Sequence, residues 1–175
     1  MKDELIPSFR IDHTQLQPGI YISRQDTLSP DSQFENSKIT TYDIRMKRPN
    51  VEPVVEPAAM HTIEHIIATY LRNDPEWKDK VVYWGPMGCL TGSYLIMKGA
   101  PDPELDLLPL IVRAFKYLAS FEGEVPGTKP ENCGNYRLHD LEGAKREAAE
   151  FVRRLEISPC FKYPIYDIIR THTDA

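Results

Sequence analysis

The stretch between Pro57 and Pro75 constrains the fold more than any other part of this sequence, because both ends of a helix are marked in it. Pro57 suits the first turn of a helix, and Asn73-Asp74-Pro75 stops one. The sequence therefore predicts a helix from about Ala58 to Arg72.

Two histidines lie on the polar side of this helix. His61 and His65 are one helical turn apart, so both imidazoles can bind one metal ion. Glu64 shares their arc, and the apolar residues lie on the opposite side, namely Ile63, Ile66, Ile67 and Tyr70. The core therefore leaves the histidines free to face a cleft. The alternative is a helix that merely happens to carry two histidines.

The remaining elements alternate irregularly along the chain. Alternation of apolar and polar residues, or runs of strand-forming residues, predict strands at Gly19 to Arg24, Lys38 to Lys47, Lys80 to Trp84 and Cys89 to Lys98. Helical periodicity predicts two further helices, at about Pro103 to Phe121 and from Asp140, as N-cap, to Leu155. Tight glycine turns favour antiparallel pairing. We expect an α+β fold, an antiparallel sheet with helices packed on one face.

Length and charge narrow the class of protein. A chain of 175 residues fits a single domain, residues 1–175. The net charge is −5 and no basic block occurs, so we expect no nucleic acid partner and no anionic membrane surface as partner. No apolar run is long enough to cross a bilayer, and the first residues lack the apolar region of a signal peptide. We therefore expect a cytoplasmic protein.

A catalytic metal needs about three protein ligands and an open position, so the two histidines make an incomplete site. In a reducing compartment the three cysteines are thiols or ligands rather than disulfides. Cys89 and Cys133 each stand beside a glycine turn and are candidates for the third ligand, whereas Cys160 fits an inert thiol. His139 and His172 are also possible ligands, and spacing does not choose among them.

The His-x-x-Glu-His pattern by itself also fits a small metallopeptidase. In that hypothesis Glu64 activates a metal-bound water, and Glu142 is a possible third ligand. A non-catalytic metal-binding or sugar-binding module is a third hypothesis.

Five motifs in the right order resemble the S-ribosylhomocysteine lyase (LuxS) family, and together they span most of the chain. They are Ser8-Phe9-Arg10-Ile11-Asp12-His13, Tyr42-Asp43-Ile44-Arg45, the His61 to His65 helix, Pro86-Met87-Gly88-Cys89 with Thr91-Gly92, and Cys133-Gly134-Asn135 with the segment Leu138 to Lys145. The resemblance implies a homodimer with active sites at the subunit interface. It also implies one divalent metal ion per subunit, Fe2+ in the native enzyme and often Zn2+ or Co2+ after purification.

The implied reaction splits S-ribosylhomocysteine into homocysteine and 4,5-dihydroxy-2,3-pentanedione. That dione cyclises into the autoinducer-2 signals of quorum sensing, and the same step recycles a by-product of the methyl cycle.

Matching positions imply a role for each site residue. His61, His65 and Cys133 are expected to bind the metal, with Cys89 and Glu64 as the two acid/base groups. Three further residues are expected to contact the substrate, namely Ser8, His13 and Arg45. Each of these three also has a structural interpretation: a turn cap for Ser8, a surface residue for His13, and a salt bridge for Arg45.

Two positions depart from the family pattern. Many members have an aspartate six residues before the catalytic cysteine, where this chain has Tyr83. Ser93 replaces the first of two aromatic residues that often follow the Thr-Gly pair. Both changes border the expected pocket and leave the expected metal ligands and acid/base residues intact.

Overall fold

The computed structural model describes residues 6–27 and 38–164. Four strands and three α-helices follow one another as β1 (Gly19–Thr27), β2 (Lys38–Arg45), α1 (Pro57–Asn73), β3 (Val81–Pro86), β4 (Gly92–Lys98), α2 (Leu108–Ala119) and α3 (Leu141–Ile157). The strands form one sheet in the order β1-β2-β4-β3, and all neighbours are antiparallel. The predicted α+β fold is confirmed.

The two faces of the sheet have different neighbours. Ile44 lies opposite Ile20 on β1 and Ser93 on β4, and this face packs against the helices. Ser93 contacts the sulfur of Met60 on α1, with Oγ and Sδ 3.9 Å apart. Side chains alternate along a strand, so the adjacent residues point the other way. They form what we call the second face of the sheet, defined by Tyr21, Asp43, Arg45 and Tyr94.

The helices form a layer on the first face. Helix α1 begins at Pro57 and ends at Asn73, within one residue of the prediction at each end, and it buries Met60, Ile63 and Ile67. Asp140 caps α3, as predicted, because its carboxylate accepts a hydrogen bond from the backbone N–H of Gly143. Within the described residues, no helix combines the length and the apolar character needed to cross a membrane.

The predicted helix from Pro103 to Phe121 is divided in two. Residues Pro103–Leu107 form a π-helical turn, in which the N–H of Leu108 bonds to the carbonyl of Pro103, and α2 follows. Pro109 lies in the first turn of α2, where its missing N–H costs no hydrogen bond.

The strand boundaries differ most from the predictions at the end of β1 and at the start of β4. Strand β1 continues past Arg24 to Thr27, because Gln25, Asp26 and Thr27 pair with the start of β2. Strand β4 begins at Gly92 rather than at Cys89. Cys89 instead lies in the turn of the β3–β4 hairpin, where Leu90 has a left-handed backbone with φ of 57°.

Candidate metal centre and catalytic pocket

Four side chains bring metal-binding atoms together in the helical layer. His61 and His65 come from α1, and Cys133 and His139 come from the connection between α2 and α3. One nitrogen or sulfur atom of each lies within 4.8 Å of the other three. The Sγ atom of Cys133 is 3.4 Å from Nε2 of His61. The three ligands that the resemblance implies are therefore adjacent.

Backbone carbonyls fix both α1 histidines in the form that a metal requires. Nδ1 of His61 is 2.7 Å from the carbonyl oxygen of Leu138, and Nδ1 of His65 is 2.7 Å from that of Pro126. A carbonyl can only accept, so each Nδ1 donates its proton, and in the neutral ring Nε2 is the nitrogen that carries the lone pair. Such outer contacts orient metal-binding imidazoles. The donor set therefore fits a divalent ion that binds nitrogen and sulfur ligands.

The backbone around Cys133 and His65 supports the same arrangement. The N–H of Asn135 donates to the Sγ of Cys133 at 3.4 Å, which helps to orient this sulfur. Gly127, next to Pro126, has a φ of 75°, and a Cβ at this position would lie 3.2 Å from Nδ1 of His65. A glycine at 127 therefore lets the loop approach the histidine closely.

His139 is a fourth potential donor. Its ring stacks on that of His61, with centroids 4.3 Å apart, and its Nδ1 is 3.2 Å from the hydroxyl of Thr62. That hydroxyl donates to the carbonyl of Ala58, so the Nδ1–H of His139 is the donor in this pair. Its Nε2 is buried and has no hydrogen-bond partner among the described residues. Burial, followed by the charges of His61 and His65, lowers the pKa of His139.

The other candidate ligands do not belong to this cluster among the described residues. Glu64 lies on α1 between the two histidines, and its carboxylate is not one of the four clustered groups. Glu142 has an exposed side chain paired with Lys145 at 3.6 Å, so the metallopeptidase alternative is not supported. His172 lies outside the described residues.

The remaining predicted site residues meet in a cavity of about 360 Å3. Cys89 lines it together with Ser8, His13 and Arg45, the three residues expected to contact substrate. Ser8 belongs to a 3-10 turn (Pro7–Arg10), and the Nδ1 of His13 donates to the carbonyl of Ile11 at 2.9 Å. The Nε2 of His13 consequently keeps a free lone pair.

A buried ion pair adjoins this cavity, and its arginine, Arg45, is one of the lining residues. The guanidinium of Arg45 binds the carboxylate of Asp43 through both Nε and Nη2, at 3.1 and 2.5 Å. Its Nη1 donates to the hydroxyl of Thr91 at 2.6 Å and lies 3.8 Å from the sulfur of Cys89. Arg45 is only 3% exposed, so this geometry is set by packing rather than by solvent. The structural interpretation of Arg45 is a salt bridge to a neighbouring strand, whereas its partner in the structure, Asp43, lies on the same strand.

The surroundings of Cys89 favour its thiolate. The hydroxyl of Thr91 is 3.1 Å from Sγ, and because it accepts from Arg45 it has its own proton to donate to the sulfur. Burial disfavours ionisation of Cys89, but hydrogen bonds from Thr91 and the charge of Arg45 outweigh burial and lower its pKa. Cys89 is a free thiol with the character of an acid/base group or nucleophile.

The metal-binding cluster and the Cys89 cavity occupy different layers of the molecule. The cluster lies between α1 and the loops of the helical layer, whereas Asp43 and Arg45 belong to the second face of the sheet. None of the four clustered donors lines the cavity in the part of the chain that the structure describes. Motif order along the chain carries no information about faces, so the motifs alone do not predict this separation, although the resemblance implies active sites at a subunit interface.

Comparisons with known proteins agree with the resemblance seen in the sequence motifs. The S-Ribosylhomocysteinase (LuxS) family model matches residues 6–159. A protein of Phocaeicola vulgatus named S-ribosylhomocysteine lyase is 55% identical over 150 residues, which cover 86% of this chain and 89% of that protein. Proteins of the same name from Porphyromonas gingivalis and Clostridium beijerinckii are 51% and 45% identical, over 87% and 93% of this chain and 91% and 98% of their own lengths.

Proposed function

The chain belongs to the S-ribosylhomocysteinase (LuxS) family and is an S-ribosylhomocysteine lyase, and from this premise we propose that its active site is assembled from two copies of the chain. The proposal rests on the separation of the metal-binding cluster from the Cys89 cavity. The substrate must meet both the metal and the Cys89 thiolate, and a single chain presents them on different layers. A symmetric dimer lets the Cys89 cavity of one copy face the metal-binding cluster of the other.

The metal-binding half consists of His61, His65 and Cys133. The two oriented imidazoles and the thiol support this assignment, and they suit Fe2+, Zn2+ or Co2+. We propose Fe2+ as the native ion, as the resemblance implies. A bound divalent ion supplies Lewis acidity, which stabilises negative charge on substrate oxygens as protons leave the neighbouring carbons.

The reaction requires a series of proton transfers at carbon. The sulfur leaves only when it is β to a carbonyl, so the sugar carbonyl must first move from C1 to C3. This takes two successive shifts, and in each a proton is lost from the carbon that becomes the carbonyl and a proton is gained at the adjacent carbon that was the carbonyl. A base then removes the proton from C4, the C5–S bond breaks, and the sulfur takes the bonding electrons and a proton to become homocysteine. We assign these transfers to Cys89 and Glu64.

Cys89 is suited to this role by its environment. Thr91 and Arg45 stabilise its thiolate, so the sulfur can take a proton and return it. Glu64 is adjacent in sequence to the proposed ligand His65, which supports its assignment to the metal-binding half. One base therefore belongs to each half of the composite site.

Ser8, His13 and Arg45 are proposed to contact the substrate. All three line the Cys89 cavity, and the free Nε2 of His13 and the hydroxyl of Ser8 suit sugar hydroxyl groups. The dione released beside homocysteine is the precursor of autoinducer-2. The three free cysteines fit a reducing compartment, and we propose the cytoplasm.

Thiol release tests this assignment. Anaerobically purified, iron-loaded protein is expected to release free thiol from S-ribosylhomocysteine, and a chelator is expected to stop the release. Cys89→Ala should retain the metal and release no thiol. Cys160→Ala is a matched control, because Cys160 lies outside the cavity, and it should stay active. Full activity of Cys89→Ala would contradict the role of this thiol, and a folded, metal-loaded wild type that releases none would contradict the lyase.

A further inference from the structure

The segment from Cys160 to Pro164 follows the stretch that the family model matches, which ends at residue 159. It lies against the second face of the sheet. The carbonyl of Cys160 accepts a hydrogen bond of 2.9 Å from the N–H of Ile20 at the start of β1. The carbonyl of Pro164 accepts one of 3.0 Å from the N–H of Asp12, next to the cavity residue His13. The segment is thus anchored at both ends.

Tyr163 lies between these two anchors and reaches the ion pair beside the cavity. Its ring stacks on that of Tyr21, with centroids 4.7 Å apart and planes 10° from parallel. Its hydroxyl donates a hydrogen bond of 3.0 Å to Oδ2 of Asp43, the same oxygen that binds Nη2 of Arg45. Asp43 is 1% exposed, so solvent cannot replace a lost partner.

We propose that Tyr163 is a positioning residue for the Cys89 thiolate and that it acts through Asp43 and Arg45. This inference rests on the proposed acid/base role of Cys89. A buried carboxylate is stable as an anion only when its oxygens are paired and hydrogen-bonded. Arg45 supplies two of the contacts to Asp43, and Tyr163 supplies the third.

The geometry passes the effect of Tyr163 on to Cys89. An ionised Asp43 binds the guanidinium in bidentate fashion and so fixes the plane in which Nη1 points. From that position Nη1 reaches both the hydroxyl of Thr91 and the sulfur of Cys89. When Asp43 is protonated, this anchor of Arg45 is weakened, and the thiolate loses the alignment of its two stabilising groups.

The charge state of Asp43 depends on every group that faces it. Burial raises the pKa of Asp43, whereas the charge of Arg45 and the hydrogen bonds from Arg45 and Tyr163 lower it. The facing titratable and charged groups are Arg45 on β2, Tyr163, His13 in the N-terminal segment, Tyr21 on β1 and Tyr94 on β4. Loss of the Tyr163 hydroxyl removes a donor from the ionised form, so it raises the pKa of Asp43 further and extends protonation to higher pH.

Tyr163→Phe tests the proposal, because it keeps the ring on Tyr21 and removes only the hydroxyl. The acid limb of kcat/KM for thiol release should move to higher pH by about one pH unit, the usual size for one hydrogen bond to a charged group. At pH values on the acid limb kcat/KM should fall about tenfold, whereas at pH values above this limb it should stay unchanged. Circular dichroism and metal content at each pH confirm that the variant stays folded and loaded.

Tyr21→Phe is the matched control. It removes a hydroxyl from the other ring of the same stack, where the lost partners are the carbonyl of Gln17 and the side chain of Cys160 rather than Asp43. Its acid limb should coincide with that of the wild type. Equal movement of the limb in both variants would show that loosening of the stack is responsible, and it would overturn the proposal.

A second readout does not depend on turnover. The 13C chemical shift of the Asp43 carboxyl, assigned with Asp43→Asn, reports its protonation directly. We expect its midpoint at higher pH in Tyr163→Phe than in the wild type. Coincident midpoints would overturn the inference, whereas a wild type that releases no thiol would contradict the proposed function and leave this measurement to decide the role of Tyr163.

Discussion

Thr91 offers the sharpest perturbation of the catalytic pocket, because one hydroxyl contacts both Arg45 and Cys89. Thr91→Val keeps the shape of the side chain and removes that hydroxyl. The variant loses the acceptor for Nη1 of Arg45, at 2.6 Å, and the donor to Sγ of Cys89, at 3.1 Å. We expect the pKa of Cys89 to rise. Burial still opposes ionisation of the thiol, and the variant lacks the Thr91 hydroxyl, one of the two groups that stabilise the thiolate.

The size of this effect follows from the hydrogen bond to sulfur. A bond to a charged group contributes about 1.5–3 kcal/mol when it is well shielded. The Cys89 side chain is exposed in the single chain and the surrounding atoms shield its sulfur only in part, so solvent screening leaves about 1 kcal/mol. That corresponds to about fivefold less thiolate at pH values below the pKa of Cys89. The kcat for thiol release should fall by about the same factor.

Alkylation by iodoacetamide measures the thiolate directly. The rate at Cys89 is followed against pH by mass spectrometry of its peptide, and Cys160 in the same sample is the internal reference. Thr91→Ser keeps the hydroxyl and should titrate like the wild type. If Thr91→Val and the wild type give the same alkylation midpoint at Cys89, the hydroxyl does not stabilise the thiolate and the reasoning is refuted.

Three further substitutions test the metal centre and the core. His61→Ala should reduce bound metal, measured by atomic emission, by at least about tenfold; near-stoichiometric metal in this variant would mean that another ligand set binds it. Gly127→Ala places a methyl group on a backbone with φ of 75°, 3.2 Å from Nδ1 of His65. The free energy of unfolding should fall by about 1–2 kcal/mol, and the metal should pass faster to a chelator. An unchanged denaturation curve would refute the claim that a side chain at position 127 is strained. Phe115→Ala leaves a cavity in the core between Trp84 and Phe151, so the free energy of unfolding should fall by about 3–5 kcal/mol, with metal still bound in the folded protein. A fall below about 1 kcal/mol would mean that neighbouring side chains fill the cavity.

Local signals in the sequence predicted the helices well. Pro57 and Asn73-Asp74-Pro75 mark the ends of α1, and Asp140 caps α3, because capping and termination depend on a few adjacent residues. The end of β1 was missed for the opposite reason. Asp26 and Thr27 are polar, and only their pairing with Ile39 and Lys38 on β2 makes them part of a strand.

The site was predictable in composition but not in arrangement. The motifs identified His61, His65 and Cys133, and the structure brings all three together. They gave no basis for choosing His139, whose place beside His61 depends on the hydroxyl of Thr62 and the folding of a long loop. Motif spacing also could not reveal that the Cys89 cavity and the metal-binding cluster lie in different layers, since that depends on the register of the sheet.

The complementation of two inactive variants tests the composite active site most directly. Cys89→Ala damages the cavity half, and His61→Ala damages the metal-binding half. Co-expression with two different tags and tandem purification yields a mixed dimer, in which one of the two composite sites is intact. An active site shared between two chains predicts thiol release at about half the rate of the wild-type dimer, because two-fold symmetry generates two equivalent sites. A mixed dimer as inactive as either parent, with metal bound to its intact half, would contradict an active site built from two chains.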